Sequence, residues 1–224
     1  MKTLRSSILC FIVLLFTSPL LCAQDLSKYR HFTLGMNLAR VLDRTDKKMA
    51  DVKVIYGRPA LLQELTWWLP DLTGTPVRSD TVEQILFSFC NGELYKISVT
   101  YDRTYTEGLT AEDMVKFISA KYGPATTLVP EVESAPNVQY EVRQKPFASW
   151  EDPQYSFNLV RSSLSHGFEL LIYSKRLNGQ AEAALAEAVK LEKEEGPQRE
   201  ADRQKKQIDD LEVARQRNRK TFRP

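Results

Sequence analysis

Apolar and polar positions alternate most regularly between Glu83 and Tyr101. Two β-rich runs there flank Asn91-Gly92, a pair suited to the left-handed backbone of a hairpin turn. A two-residue loop sets Phe89 opposite Leu94 and Phe87 opposite Lys96, which mixes charged and apolar groups on each face. A three-residue loop of Cys90-Asn91-Gly92, with Gly92 left-handed in a bulge, sets Phe87 opposite Tyr95 and Ile85 opposite Ile97. That register gathers Ile85, Phe87, Tyr95, Ile97, Val99 and Tyr101 on one face. A one-residue slip exchanges the faces of a strand, so burial predicts the three-residue loop.

The pattern elsewhere predicts two helices and further strands. Residues 24–32 read as a polar lead-in, followed by a short strand at Phe32-Thr33-Leu34. Asn37 caps a helix from Leu38 to Thr45, whose Leu38, Val41 and Leu42 share one face. Val52, Val54 and Tyr56 alternate, and Ala60 to Trp68 is extended. Thr110 caps a second helix that carries Met114, Val115, Ile118 and Tyr122 and stops at Gly123-Pro124. Val138 to Val142, Tyr155 to Leu159 and Phe168 to Ile172 alternate as strands, with residues 162–167 joining the last two. Trp150-Glu151-Asp152-Pro153 reads as a turn, and residues 125–137 as a loop. The fold class is therefore α+β: an antiparallel sheet packed by two helices. A helix-then-strands order occurs twice, which suggests halves at 30–102 and 108–175 within a globular domain at 24–176.

The two ends have other characters. Lys2 and Arg5 precede an apolar run from Ile8 to Phe16, and Ala23 follows Cys22. This predicts a signal peptide over 1–23 and export to a periplasm or the exterior. Leu21 is not the small residue that lipidation at Cys22 requires, so a lipoprotein is not expected. Removing Lys2 and Arg5, with no acid before Asp25, leaves 29 basic against 29 acidic side chains. That balance gives no electrostatic case for nucleic acid. Cys90 becomes the sole cysteine, so no intrachain disulfide can form, and it reads as a small turn residue. No later stretch is apolar and long enough to cross a bilayer.

Residues 177–224 read as a charged helical tail, partly disordered. Ala181, Ala184, Leu185, Ala188 and Leu191 form a narrow stripe. Gly196-Pro197 predicts a break, with Pro197 opening a new helix. Beyond it only Ala201, Ile208 and Leu211 lie near a heptad seam, which allows weak self-association at most. Arg215, Arg217, Arg219, Lys220 and Arg223 follow the last acid and are candidates for contact with an anionic surface.

Catalytic motifs are absent from the sequence. The two histidines, His31 and His166, lie in no ligand-spaced cluster, and no cofactor or metal is expected. Glu151-Asp152, Asp102-Arg103 and His166 are the places to look for a hydrolase site, with turn capping and surface pairing as the simpler roles. Adjacent strand residues point to opposite faces, so Trp67 and Trp68 cannot both enter one core. Trp67, Trp68 and Trp150 are the candidate interface residues.

Phe32-Thr33-Leu34-Gly35-Met36-Asn37, followed by a helix, resembles the opening of the SmpA/OmlA (BamE-like) envelope proteins. Lys121-Tyr122-Gly123-Pro124 resembles a helix-ending feature of the same superfamily, whose two-repeat members include β-lactamase-inhibitory proteins. The resemblance spans roughly residues 30–175 and implies a helix pair packed on an antiparallel sheet. It transfers no functional residue. The expected role is an exported, non-enzymatic module that binds another envelope or secreted protein. The alternatives are a scaffold that oligomerises through its tail and a hydrolase with an unrecognised site.

Overall fold

The computed structural model describes residues 25–69, 80–129, 145–161, 167–221 and 223. Its strands are β1 (Lys28–Tyr29), β2 (Phe32–Thr33), β3 (Val52–Tyr56), β4 (Leu62–Trp68), β5 (Val82–Cys90), β6 (Glu93–Tyr101), β7 (Thr127–Leu128), β8 (Ala148–Glu151), β9 (Tyr155–Arg161) and β10 (Phe168–Ser174). Its helices are α1 (Leu38–Thr45), α2 (Arg103–Thr106), α3 (Ala111–Tyr122) and α4 (Lys175–Thr221). Among these residues β1 and β2 form a ribbon, and the others form one antiparallel sheet ordered β3-β4-β5-β6-β10-β9-β8-β7. The expected α+β class is the one observed. Helix α1 precedes the meander β3 to β6, and α3 precedes the meander β7 to β10. The two meanders join through their last strands, β6 and β10.

Local chemistry accounts for the helices. The Asn37 Oδ1 accepts the Arg40 N–H at 3.0 Å, which starts α1 and leaves Leu38, Val41 and Leu42 buried together. Thr110 and Asp113 form a reciprocal capping box on α3. Gly123, at φ 77°, ends that helix in a conformation few other residues tolerate. Both helices pack on one face of the sheet, in a core with Ile85, Phe87, Ile97, Val99, Phe157 and Leu170. Trp150 lies in the same core and donates its indole N–H to the Gly123 carbonyl at 2.9 Å.

The hairpin keeps its buried face by a route the pattern did not reveal. Asn91 and Gly92 both have positive φ, 50° and 81°, so the loop has two residues, not three. Cys90 pairs with Glu93 and Phe89 with Leu94. The extra residue lies beyond the turn: a bulge at Tyr95 moves the pairing to Phe87 with Ile97 and Ile85 with Val99. Tyr95 thereby leaves the main core and packs on the opposite face, beside Leu62, Cys90 and Ala181. The turn stays tight because its neighbours hold it. Leu61 and Asn91 exchange two hydrogen bonds, and the Gly92 carbonyl accepts the Leu38 N–H at 2.9 Å.

Four other segments depart from expectation. Residues 127–128, expected within a loop, form β7 and pair with β8. The lead-in is not merely polar: Leu26 and Tyr29 are buried, and Arg30 forms a two-pronged pair with Asp80, each contact 2.7 Å. Trp150-Glu151 ends strand β8, and the turn starts at Asp152. Residues 103–106 form a helical turn because the Asp102 carboxylate accepts the Thr104 N–H at 2.7 Å. The expected strand at 138–142, and residues 162–166 of the expected joining segment, lie outside the described residues.

The tail begins as helix at Lys175, directly out of β10, and continues to Thr221 without the expected break. Gly196 and Pro197 cost a helix interior about 1 and 3 kcal/mol relative to alanine. The Ala, Glu, Lys, Gln and Arg runs on both sides carry the helix through them. Leu177, Ala181 and Ala188 are its buried residues, and Leu185, expected in the stripe, is exposed.

Candidate interaction surface

Directly paired residues in an antiparallel sheet share a face, so the registers assign every side chain to one of two surfaces. The core face carries α1 and α3. On the second face, one row of neighbours runs Trp68, Gln84, Thr100, Glu169 and Val160. The next runs Thr66, Leu86, Ser98, Leu171, Asn158 and Ser149. A third contains Glu64, Ser88, Lys96, Tyr173 and Ser156. Among the described residues, helix α4 crosses the hairpin-tip end of this face, where Ala181 meets Leu62 and Cys90. Small hydroxyl and amide groups make up half of these rows, but Ser88, Ser98, Thr100, Ser149, Ser156 and Asn158 are themselves buried, and Leu86 and Leu171 are half-buried near the centre.

Part of this surface is a connected polar network. The Ser149 hydroxyl donates to the Asn158 Oδ1 at 2.6 Å, and the Asn158 amide donates to Ser156 at 3.0 Å. Ser156 donates to Glu151 at 3.0 Å, and Glu151 receives Lys175 at 2.8 Å. The network ties β8 and β9 to the first turn of α4. The Lys175 hydrogen bond holds the Glu151 carboxyl below its ordinary value. Glu169 behaves oppositely: burial in the sheet pushes its carboxyl up, against the pull of Lys96.

The three tryptophans divide. Trp150 is only 1% exposed, so it is a core residue and not an interface residue. Trp67 lies on the core face, partly buried against Phe32 and Phe87. Trp68 lies on the second face at its edge and is 57% exposed. Sequence reasoning separated Trp67 from Trp68 but missed the polar face itself. The signal was present in the residues between the apolar ones, such as Asn158 between Phe157 and Leu159.

The possible catalytic groups have structural partners. Asp152 accepts the Gln154 and Tyr155 N–H groups at 2.7 and 2.6 Å, which is turn capping. Glu151 belongs to the network above. Asp102 caps α2 and is buried, not at the surface. His31 is exposed against Phe32, and burial with nearby Arg44 and Arg30 lowers its pKa. His166 lies outside the described residues. Among the described residues no three metal-ligating side chains are gathered. Cys90 is buried; that burial, aided by Glu93, pushes its thiol up and away from reactivity.

Two features lie along α4. A groove of about 250 Å³ separates its middle from the end of β3, lined by Ile55, Tyr56, Arg58, Leu191 and Arg199 among others. Glu195 pairs with Arg58 across it at 2.8 Å. Arg215, Arg217, Arg219, Lys220 and Arg223 are all exposed, far along the helix from this tether. Among the described residues, no helix is long and apolar enough to cross a membrane. Compared with known protein families, curated proteins and solved structures, the chain has no match.

Proposed function

We propose that the chain is an exported, non-enzymatic module that binds another envelope or secreted protein through the second face of its sheet. The observation that carries this reading is the asymmetry of the two faces. Among the described residues, one is sealed by α1 and α3, whereas the other carries α4 at its hairpin-tip end and leaves Trp68 exposed and Leu86, Leu171 and Tyr173 partly exposed beside buried small polar groups. An exposed aromatic at the edge of a face with partly exposed aliphatic and aromatic side chains suits protein recognition. The weak likeness to BamE-like proteins and the leader-like first residues support an envelope setting.

The test uses a photo-reactive residue at Leu171, with one at Arg40 on the solvent side of α1 as control. The expected result is one partner captured from envelope extract at Leu171 and not at Arg40, and lost in Trp68→Ala. Equal capture at both positions, or capture unaffected by Trp68→Ala in a folded protein, would overturn the reading. Self-association through the tail is the second reading. It rests on Ile208 and Leu211, 63% and 71% exposed and three residues apart. Two aliphatic residues do not make a repeating seam, and sedimentation with and without residues 198–224 decides the matter.

A further inference from the structure

The second half of α4 is an arm. Among the described residues its last ion pair with the body of the fold is Glu195–Arg58, Gly196-Pro197 follows immediately, and Arg199 borders the same groove one turn on. Pro197 has no N–H to give the Lys193 carbonyl, so the helix is locally weakest where its docking ends. Residues 198–221 extend about 36 Å at about 1.5 Å per residue and are exposed apart from Ala214.

Charge is sorted along this arm. Residues 198–212 hold four basic and five acidic side chains, and some pair within the helix, as Arg203 does with Glu200 at 3.6 Å. Past Glu212 there is no acid, and five cations follow. Arg219 and Lys220 in the last turn complement the helix dipole. Arg215 and Arg217 lie too far back for that role, and the like-charged Arg215 and Arg219, four residues apart, repel. At about 100° per residue, Arg219 lies about 40°, Lys220 about 140° and Arg217 about 200° around the axis from Arg215. The cations thus encircle the helix instead of lining one face. Asp209, Asp210 and Glu212, just before them, oppose laying the arm flat on an anionic plane.

We propose that this tip binds a flexible linear polyanion built of phosphate groups, which can wrap a ring of charge as a planar bilayer cannot. Four of the five cations are arginine, whose planar fork matches two phosphate oxygens at once. The site is separate from the sheet face and does not depend on its reading.

The experiment titrates the full chain into fluorescently labelled inorganic polyphosphate and reads anisotropy across salt. Four to five released counterions give a slope near −3 in log affinity against log salt, or roughly a 60-fold loss between about 50 and 200 mM. Replacing Arg215, Arg217, Arg219 and Lys220 by glutamine should remove at least about tenfold of the affinity and most of that slope, with helicity checked by circular dichroism. The pair Asp209→Asn and Asp210→Asn should tighten binding, a gain that misfolding does not produce. Four results would overturn the proposal: no saturable binding at low salt, an unchanged slope in the glutamine variant, equal binding to polyglutamate, or phosphatidylglycerol vesicles binding as tightly as polyphosphate. An oligo-dT chain of equal charge that bound about tenfold tighter would also overturn it, because base contacts would then dominate.

Discussion

Replacing Ala181 by glutamate should release the docked half of α4 without unfolding the sheet. Ala181 is 2% exposed and faces Leu62, Cys90 and Tyr95. The docking rests on Leu177, Ala181 and Ala188, with two partly exposed ion pairs at Glu151–Lys175 and Arg58–Glu195. Burying one leucine and two alanine methyls stabilises by about 3–5 kcal/mol, and such exposed pairs add little. A carboxylate forced into that contact costs several kcal/mol, so undocking becomes the cheaper response. Taking a loss of about 3 kcal/mol, the undocked population rises roughly 100-fold. Cys90 reports it, because α4 is what covers its thiol. In a chain starting at Gln24 it is the one cysteine, so reaction with a colorimetric disulfide reagent reads a single site. The rate should rise by about two orders of magnitude, while tryptophan fluorescence still reports an intact core. Unchanged thiol reactivity in the variant would refute the assignment of α4 as the cover of this face.

Two further outcomes follow from single contacts. Trp150→Phe removes the hydrogen bond to Gly123 and leaves a gap under the end of α3, so the unfolding free energy should fall by about 2–3 kcal/mol in urea melts, without loss of the native spectrum. Glu151→Gln removes a carboxylate whose pKa Lys175 lowers in the fold; its contribution is fully present above the ordinary value of 4.5 and is lost as pH falls through the lower folded value. Chemical denaturation should therefore show a stability gap between wild type and variant at neutral pH that closes in acid, and a gap that persists or widens there would contradict the pairing.

Much of this architecture was legible because burial imposes periodicity. Leu38, Val41 and Leu42 recur at helical spacing, and Asn37 and Thr110 have oxygens that only a helix start uses well. What was not legible depended on distant partners. The bulge at Tyr95 is set by the needs of both faces at once: Leu94 and Ile97 must reach the main core, while Tyr95 fills space under α4. Nothing local to Glu93–Lys96 announces that. Leu26 and Tyr29 looked incidental in a polar stretch because the sheet they cover is made by residues far along the chain. Pro197 misled for the opposite reason. Its local preference to open a helix is real, but it is weaker than the helical runs on both sides. The polar face went unseen because serine and asparagine between core residues carry no individual signal; only the registers collect them.

The junction of the two meanders makes a stricter demand on the idea of two halves. Strands β6 and β10 are equivalent in order, each the last of its meander, and they pair antiparallel. Ile97 opposite Ile172 and Val99 opposite Leu170 are all fully buried across that joint. A fragment of residues 24–108 would expose two of these side chains and five residues' worth of strand edge, a template for pairing with another chain. Burial of such aliphatic side chains is worth about 1.5–3 kcal/mol each, enough that a lone half has strong reason to find a substitute. Because equivalent strands meet antiparallel, a second copy of the same half can supply its own β6 where β10 stood. Placing Ser98 opposite its counterpart sets Ile97 against Val99 in both directions and keeps all four on the core side. The fragment should therefore be a dimer by light scattering. In a Cys90→Ser background, Ser98→Cys should link the two copies by a disulfide on oxidation. A monomeric fragment with a native-like, dispersed spectrum would show instead that the first half closes its core alone, and that the shared sheet is not what holds β6 in place.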